Sequence, residues 1–340
     1  MTLIELVLSV VAILGAASLF TNSIEILGDR LGWGQGAVGS VLAAVGTALP
    51  ETMIPIVAIL GTLIIGGDPS SSSEIGVGAI LGAPFLLATL AMFVVGAATL
   101  GFRHHRDSGA EISIDKRTTF RDIAFFVVFF ALAAGAGIVP LPFFLKVTLA
   151  ILLVGAYVFY VVWTVAFGGE GLEEVPTDLW LWPESSWGRA PLLAVVAQVL
   201  GSLVMMAAGA HFFVDAVEKG SASLGIPAGL ISLILAPLAT ELPEKFNSVV
   251  WLGENKDTLA LGNITGAMVF QSTVPVSLGI LFTSWSLDFI NVISAALALL
   301  SGVILLVLLL REIPLKAQYL LGFGALYAVF VMVAAYEIAL

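Results

Sequence analysis

The stretch Gly46-Thr47-Ala48-Leu49-Pro50-Glu51 returns 193 residues later as Ala239-Thr240-Glu241-Leu242-Pro243-Glu244. Both copies lie inside apolar runs. Proline has no N–H to give and its ring crowds the carbonyl four residues back, so Pro50 is expected to free the carbonyl of Gly46, and Pro243 that of Ala239. Each copy therefore predicts a proline-broken helix whose bare carbonyl oxygens lie beside a threonine hydroxyl and a carboxylate. In hydrocarbon such groups are costly unless they face a partner or a water-filled cavity, and a glutamate there marks a functional site. Together the two copies predict an oxygen-lined cage for a cation at the midplane.

The rest of the chain supplies the hydrocarbon. Its 340 residues are 59% hydrophobic and 11% charged, with a mean hydropathy of +1.09, which is the composition of an integral membrane protein. A crossing takes about 20 apolar residues, so the length holds roughly ten helices and leaves no room for a soluble catalytic domain. Apolar runs fall at 3–27, 36–65, 75–100, 120–139 and 141–167, then at 192–217, 226–252, 258–282, 289–310 and 315–339. The fold class read from this is an all-α membrane protein of ten transmembrane helices. Its parts are a first five-helix repeat over 1–167, an acidic linker over 168–188 and a second five-helix repeat over 189–340.

The repeat is carried by residues. Leu31 to Glu51 and Leu224 to Glu244 are identical at nine of 21 positions. A weaker echo pairs Gly78-Ala79-Ile80-Leu81-Gly82-Ala83 with Gly262-Asn263-Ile264-Thr265-Gly266-Ala267. Five spans per copy is an odd number, so the second copy enters the membrane from the opposite face. Inverted repeats with interrupted helices near the midplane are a plan of secondary transporters.

Charge gives the orientation. In the ten-span reading Arg30, Arg103, Arg106, Lys116, Arg117, Arg121, Arg189, Lys256, Arg311 and Lys316 fall at one end, and Lys219 falls clearly at the other. The first end is then cytoplasmic and both termini lie outside, in a plasma membrane of prokaryotic type. The first run, Leu3 to Leu27, has no basic leader and carries Glu5, so it reads as a retained span. The acidic loop from Gly168 to Trp187 reads as a solvated linker, and Arg103-His104-His105-Arg106 as a basic anchor. With no cysteine there are no disulfides or thiolate metal sites.

Two inverted copies of a G-T-x-L-P-E type element, each followed by a glycine-rich helix, resemble the alpha repeats of the cation/calcium exchanger superfamily, which includes the sodium/calcium exchangers. The resemblance implies a secondary antiporter, not an enzyme. Glu51 and Glu244 would be its main divalent ligands, and Thr47, Thr240 and carbonyls such as those of Gly46 and Ala239 would complete the shell. Charge agrees, since two buried carboxylates are tolerable when one divalent ion neutralises them.

The departures from the family pattern bear on substrate. The first repeat has Ala79 and Pro84 where the pattern has Asn; the second keeps Asn263 but has Ala267, Met268 and Gln271. Hard oxygen donors are thus missing, and a thioether at Met268 would suit Fe2+ or Mn2+ better than Ca2+. Glu241 stands where the first repeat has Ala48, and either pairs with Lys245 four residues on or serves as a third ligand. His211 reads as a hydrogen-bonded core histidine, with a ligand role as the alternative.

The function expected is export of a divalent metal ion, favoured as Fe2+ or Mn2+, in exchange for Na+ or H+ by alternating access. The alternatives are ordinary Na+/Ca2+ exchange and, more distantly, a cation channel. The partners are then the divalent metal ion, the Na+ or H+ counter-ion and the lipid bilayer, with no nucleic acid and no cofactor beyond the transported ions.

Overall fold

The computed structural model describes residues 3–30, 49–61, 69–167, 178–182 and 188–339, and among them every regular element is a helix. In the first half these are α1 (Leu3–Arg30), α2 (Leu49–Gly61), α3 (Pro69–Leu86), α4 (Met92–Phe102), α5 (Lys116–Ile138) and α6 (Phe143–Phe167). The second half holds α7 (Leu192–Leu224), α8 (Ala228–Gly253), α9 (Asp257–Gln271), α10 (Val274–Phe282), α11 (Phe289–Leu310) and α12 (Ala317–Ala339). Among the described residues eight helical segments are long and apolar enough to cross a bilayer, with α3 and α4 joined as one and α9 and α10 as another. The expected second and seventh spans, α2 and α8, are not among the eight. They carry the two acidic motifs.

The helices pack as two halves that exchange roles. α1 lies against its counterpart α7, and α5 against its counterpart α11. The pair α4 and α12 is mirrored by α10 and α6, and the pair α5 and α9 by α11 and α3. The apolar cores lie between these partners, while Leu193, Phe143, Val204 and Ile151 stay exposed on the outer faces. A broad apolar exterior of this kind is a surface for acyl chains.

Where α3 crosses α8 the backbones nearly touch. A Cβ added at Gly78 would stand 2.2 Å from the Gly229 carbonyl oxygen, and one at Gly82 would stand 2.1 Å from that of Leu233. Two glycines four apart let a membrane helix approach this closely. The hydroxyl of Ser232 donates to the Ile75 carbonyl at 2.8 Å across the same crossing.

Proline does not break the seventh span. α8 runs without interruption from Ala228 to Gly253 through both Pro237 and Pro243. A proline removes one hydrogen bond from the ladder, and neighbouring groups can hold the turn. The Leu233 carbonyl, which Pro237 leaves without its helical donor, faces the Gly82 backbone. Pro50 is the second described residue of α2, after Leu49, and residues 31–48 lie outside the described residues.

The interruptions come one span later. A π-helical turn, Leu87–Ala91, joins α3 to α4, and Ser272-Thr273 separates α9 from α10. At the offset relating Gly78 to Gly262, Leu87 corresponds to Gln271 and Ala91 to Pro275, so both halves deform at the same place. Serine and threonine hydroxyls bond carbonyls at both places: Ser301 donates to that of Ala88, and Thr273 to that of Val269 at 2.8 Å.

Loop contacts bring the expected ends together. The Ile112 amide donates to the Leu315 carbonyl, and the Ala317 amide to that of Ala110. Arg106 is no solvated anchor. Its side chain is fully buried and makes two 2.7 Å bonds to Asp257 at the start of α9, with a third to the Leu252 carbonyl. At the opposite end Lys146 donates to the Ser284 carbonyl and the Leu287 amide to that of Gly137. Lys146 therefore joins Lys219 as a base at that end. Part of the linker is also docked: Asn22 and Gln198 bind the backbone of residues 178, 180 and 181, and Leu179 is buried.

Candidate functional site

The site starts from the helical period of α8. Thr240, Glu241, Lys245 and Ser248 recur at steps of one, four and three, and so share the face that turns inward, where all four are buried. Glu244 lies at its edge with 20% of its side chain exposed. The crossing of α3 and α8, with α2 packed on α3 through Ile59 and Gly76, brings Glu51 of the first half to this face. Glu51 is 8% exposed, and its carboxyl lies directly against those of Glu241 and Glu244.

Glu241 is held from two sides. Its Oε1 accepts from the Gln271 side-chain amide at 2.9 Å, and its Oε2 lies 3.5 Å from the Lys245 ammonium. The same ammonium is 3.8 Å from Glu244 Oε2. Oε2 of Glu51 and Oε2 of Glu241 have no hydrogen-bond partner among the described residues. Three carboxylates and one ammonium give a formal charge of −3 + 1 = −2. In low dielectric that excess requires cations or protons. The carboxylates are apposed but do not converge on one point: among the described residues no group of three His, Asp or Glu is arranged to hold a metal ion.

The other residues singled out from the sequence take varied places. Gly46 and Thr47 lie outside the described residues. Thr240 is beside Glu241, but its hydroxyl donates to the Ala236 carbonyl of its own helix at 3.0 Å. Ala239 is half-buried against the apolar cluster beneath α1 and α7. Asn263, Ala267 and Gln271 form a stripe at steps of four along α9 that faces α8, where Asn263 donates to Ser248 at 3.1 Å. Met268 lies about 100° round the helix from Ala267. It is 1% exposed and packs in the apolar cluster with Ile264, Leu261 and Phe85.

Glu241 pairs with Lys245, as one of its two sequence readings has it, and it lies beside Glu51. His211 is not a core histidine: it is exposed on α7 beside Phe212. The first half contributes Glu51 and, along α3 at the counterparts of Asn263, Ala267 and Gln271, only Ala79, Ala83 and Leu87. The sequence reading missed a second buried acid. Asp122 of α5 is 2% exposed and accepts from Arg121, Tyr160 and Thr265 at 2.9 to 3.0 Å, so its oxygens are engaged. Its place beside Arg121 near the beginning of a span gives no signal of burial in the sequence.

Known proteins share this architecture. A family model described as sodium/calcium exchanger protein matches residues 1–166 and 194–336. An uncharacterized membrane protein of Methanocaldococcus jannaschii is 24% identical over 266 residues, covering 78% of this chain and 76% of that protein. Among solved structures, the H+/Ca2+ exchanger CAX superposes with a TM-score of 0.73 at 17% identity, over 99% of this chain and 84% of that one. The sodium-calcium exchanger NCX_Mj does so with a TM-score of 0.55 at 18% identity, over 96% of this chain and 97% of that one. These two likenesses concern the fold.

Proposed function

Because the chain belongs to the sodium/calcium exchanger protein family of membrane cation exchangers, we propose that it is a secondary-active antiporter that exports a divalent cation in exchange for Na+ or H+. The observation that carries the reading is the meeting of Glu51 from one half with Glu241 and Glu244 from the other, Glu51 and Glu241 being buried with one carboxylate oxygen each that has no hydrogen-bond partner among the described residues. One divalent ion, or two monovalent ions or protons, neutralises the charge of −2. Only the neutralised site passes the low-dielectric barrier between outward-open and inward-open states, and that condition enforces exchange in place of leak.

The groups that face one another are oxygens, which suit a hard divalent ion such as Ca2+. A preference for Fe2+ or Mn2+ would draw on the Met268 thioether, which is buried and belongs to the apolar cluster that also holds Ile264 and Leu261. The test is divalent uptake into proteoliposomes under an imposed Na+ or H+ gradient, with Ca2+, Mn2+ and Fe2+ compared. The wild type takes up the metal only with one of the gradients. Glu51→Gln and Glu244→Gln abolish uptake while the protein still elutes as a monodisperse species. Undiminished exchange in both variants would refute the site, and uptake that needs no gradient would favour a channel.

A further inference from the structure

A divalent-cation antiporter has no general need for a lysine among its acids, yet Lys245 is 3% exposed and stands in the middle of them. Its ammonium is 3.5 Å from Glu241 and 3.8 Å from Glu244. Both distances exceed the roughly 2.8 Å of a committed charge-assisted bond, so the ammonium sits between two carboxylates as a shared counter-charge. Gln271 holds Glu241 in that place from the other side. An ammonium is a compact point charge, suited to filling a cation's position without chelating. Beside it, Oε2 of Glu51 has no hydrogen-bond partner among the described residues, and Oε2 of Glu241 has no hydrogen bond and only the ammonium 3.5 Å away, so both can face a mobile ion.

We infer that the Lys245 ammonium is a tethered cation of the transport site, a specificity-determining group that sets the cage at −2 and so matches it to divalent ions over trivalent ones. This rests on the antiport reading of the same site. Lys245 acts as a fixed charge. Without it the three carboxylates would present −3, the complement of a trivalent ion or of a divalent ion with a monovalent companion.

The experiment measures binding to the purified protein in detergent, with Tb3+ followed by its luminescence and Ca2+ by displacement of Tb3+. Lys245→Gln should shift the Tb3+ to Ca2+ affinity ratio toward Tb3+ by about a hundredfold, since the ammonium repels the trivalent ion by one more unit of charge. Glu241→Gln/Lys245→Gln restores the charge of −2 and should return the ratio to within about tenfold of the wild type. Equal gains for both ions, or none, would overturn the inference and leave Lys245 a packing residue. If the wild type binds neither ion, the site itself fails and the inference with it. Lys245→Met keeps the apolar stem, should Lys245→Gln not fold. If neither folds, Glu241→Gln must weaken Tb3+ more than Ca2+, and an equal loss would overturn the inference.

Discussion

Met268 and Gln271 are three residues apart on α9, about 60° round the helix; Met268 is buried and belongs to the apolar cluster that also holds Ile264, Leu261 and Phe85, and Gln271 donates to Glu241. Replacing Met268 by Leu keeps volume and apolarity, so a cost below about 1.5 kcal/mol is expected. The order of transport rates across Ca2+, Mn2+ and Fe2+ should stay the same in the vesicle assay. A selective loss of Fe2+ would restore sulfur as a ligand. The sequence placed Met268 correctly on the helix of the site. Which way it faced depended on the rotation of α9 about its axis, and that is set by partners on other helices, Ser248 and Glu241 on one side and Asp122, through Thr265, on another. Lys245 was legible as the residue four after Glu241. Its place beside an acid cluster that includes Glu51 was not, because that cluster draws on both halves.

The crossing of α3 and α8 is the element on which the site hangs. Backbone meets backbone at Gly82 and Leu233, so neither side has a flexible chain end that can move aside. Gly82→Ala should therefore cost at least the 1–3 kcal/mol usual for overpacking, about what shifts a thermal midpoint by several degrees. Gly262→Ala, where an added Cβ meets nothing within 4 Å, should be neutral or stabilising, since alanine favours the helix by up to about 1 kcal/mol. Thermal unfolding of both variants in detergent checks the pair; equal effects would mean that the crossing is not held by close approach. Proline in the sequence pointed to broken helices in the second and seventh spans. The seventh runs unbroken through Pro243, and the deformations among the described residues fall in the third and eighth, where Ser301 and Thr273 donate to the carbonyls of Ala88 and Val269.

Over the whole molecule, Arg106 joins the α4–α5 loop of the first half to α9 of the second through Asp257, with both side chains buried. Removing one member leaves the other charge unpaired, so Arg106→Ala should cost about 3–5 kcal/mol, while Arg106→Met/Asp257→Leu should cost much less. Chemical unfolding of the two variants tests this, and equal losses would show that the pair contributes only packing. The absence of cysteine makes the topology directly testable. Single cysteines at His104 and at Glu312 should react with impermeant thiol reagents only from the cytoplasmic side, and one at Ser223 only from outside. Reaction of His104 and Ser223 substitutions from the same side would end the inverted arrangement.

Composition, apolar run length and the repeated motif determined a helical membrane protein of two related halves and picked out Glu51 and Glu244, because those properties are local along the chain. Tertiary structure alone decided that Glu241 and Lys245 join them and that Arg106 is buried. Each of those outcomes depends on how helices from different halves cross, and a crossing is set by the close contact of surfaces far apart in sequence.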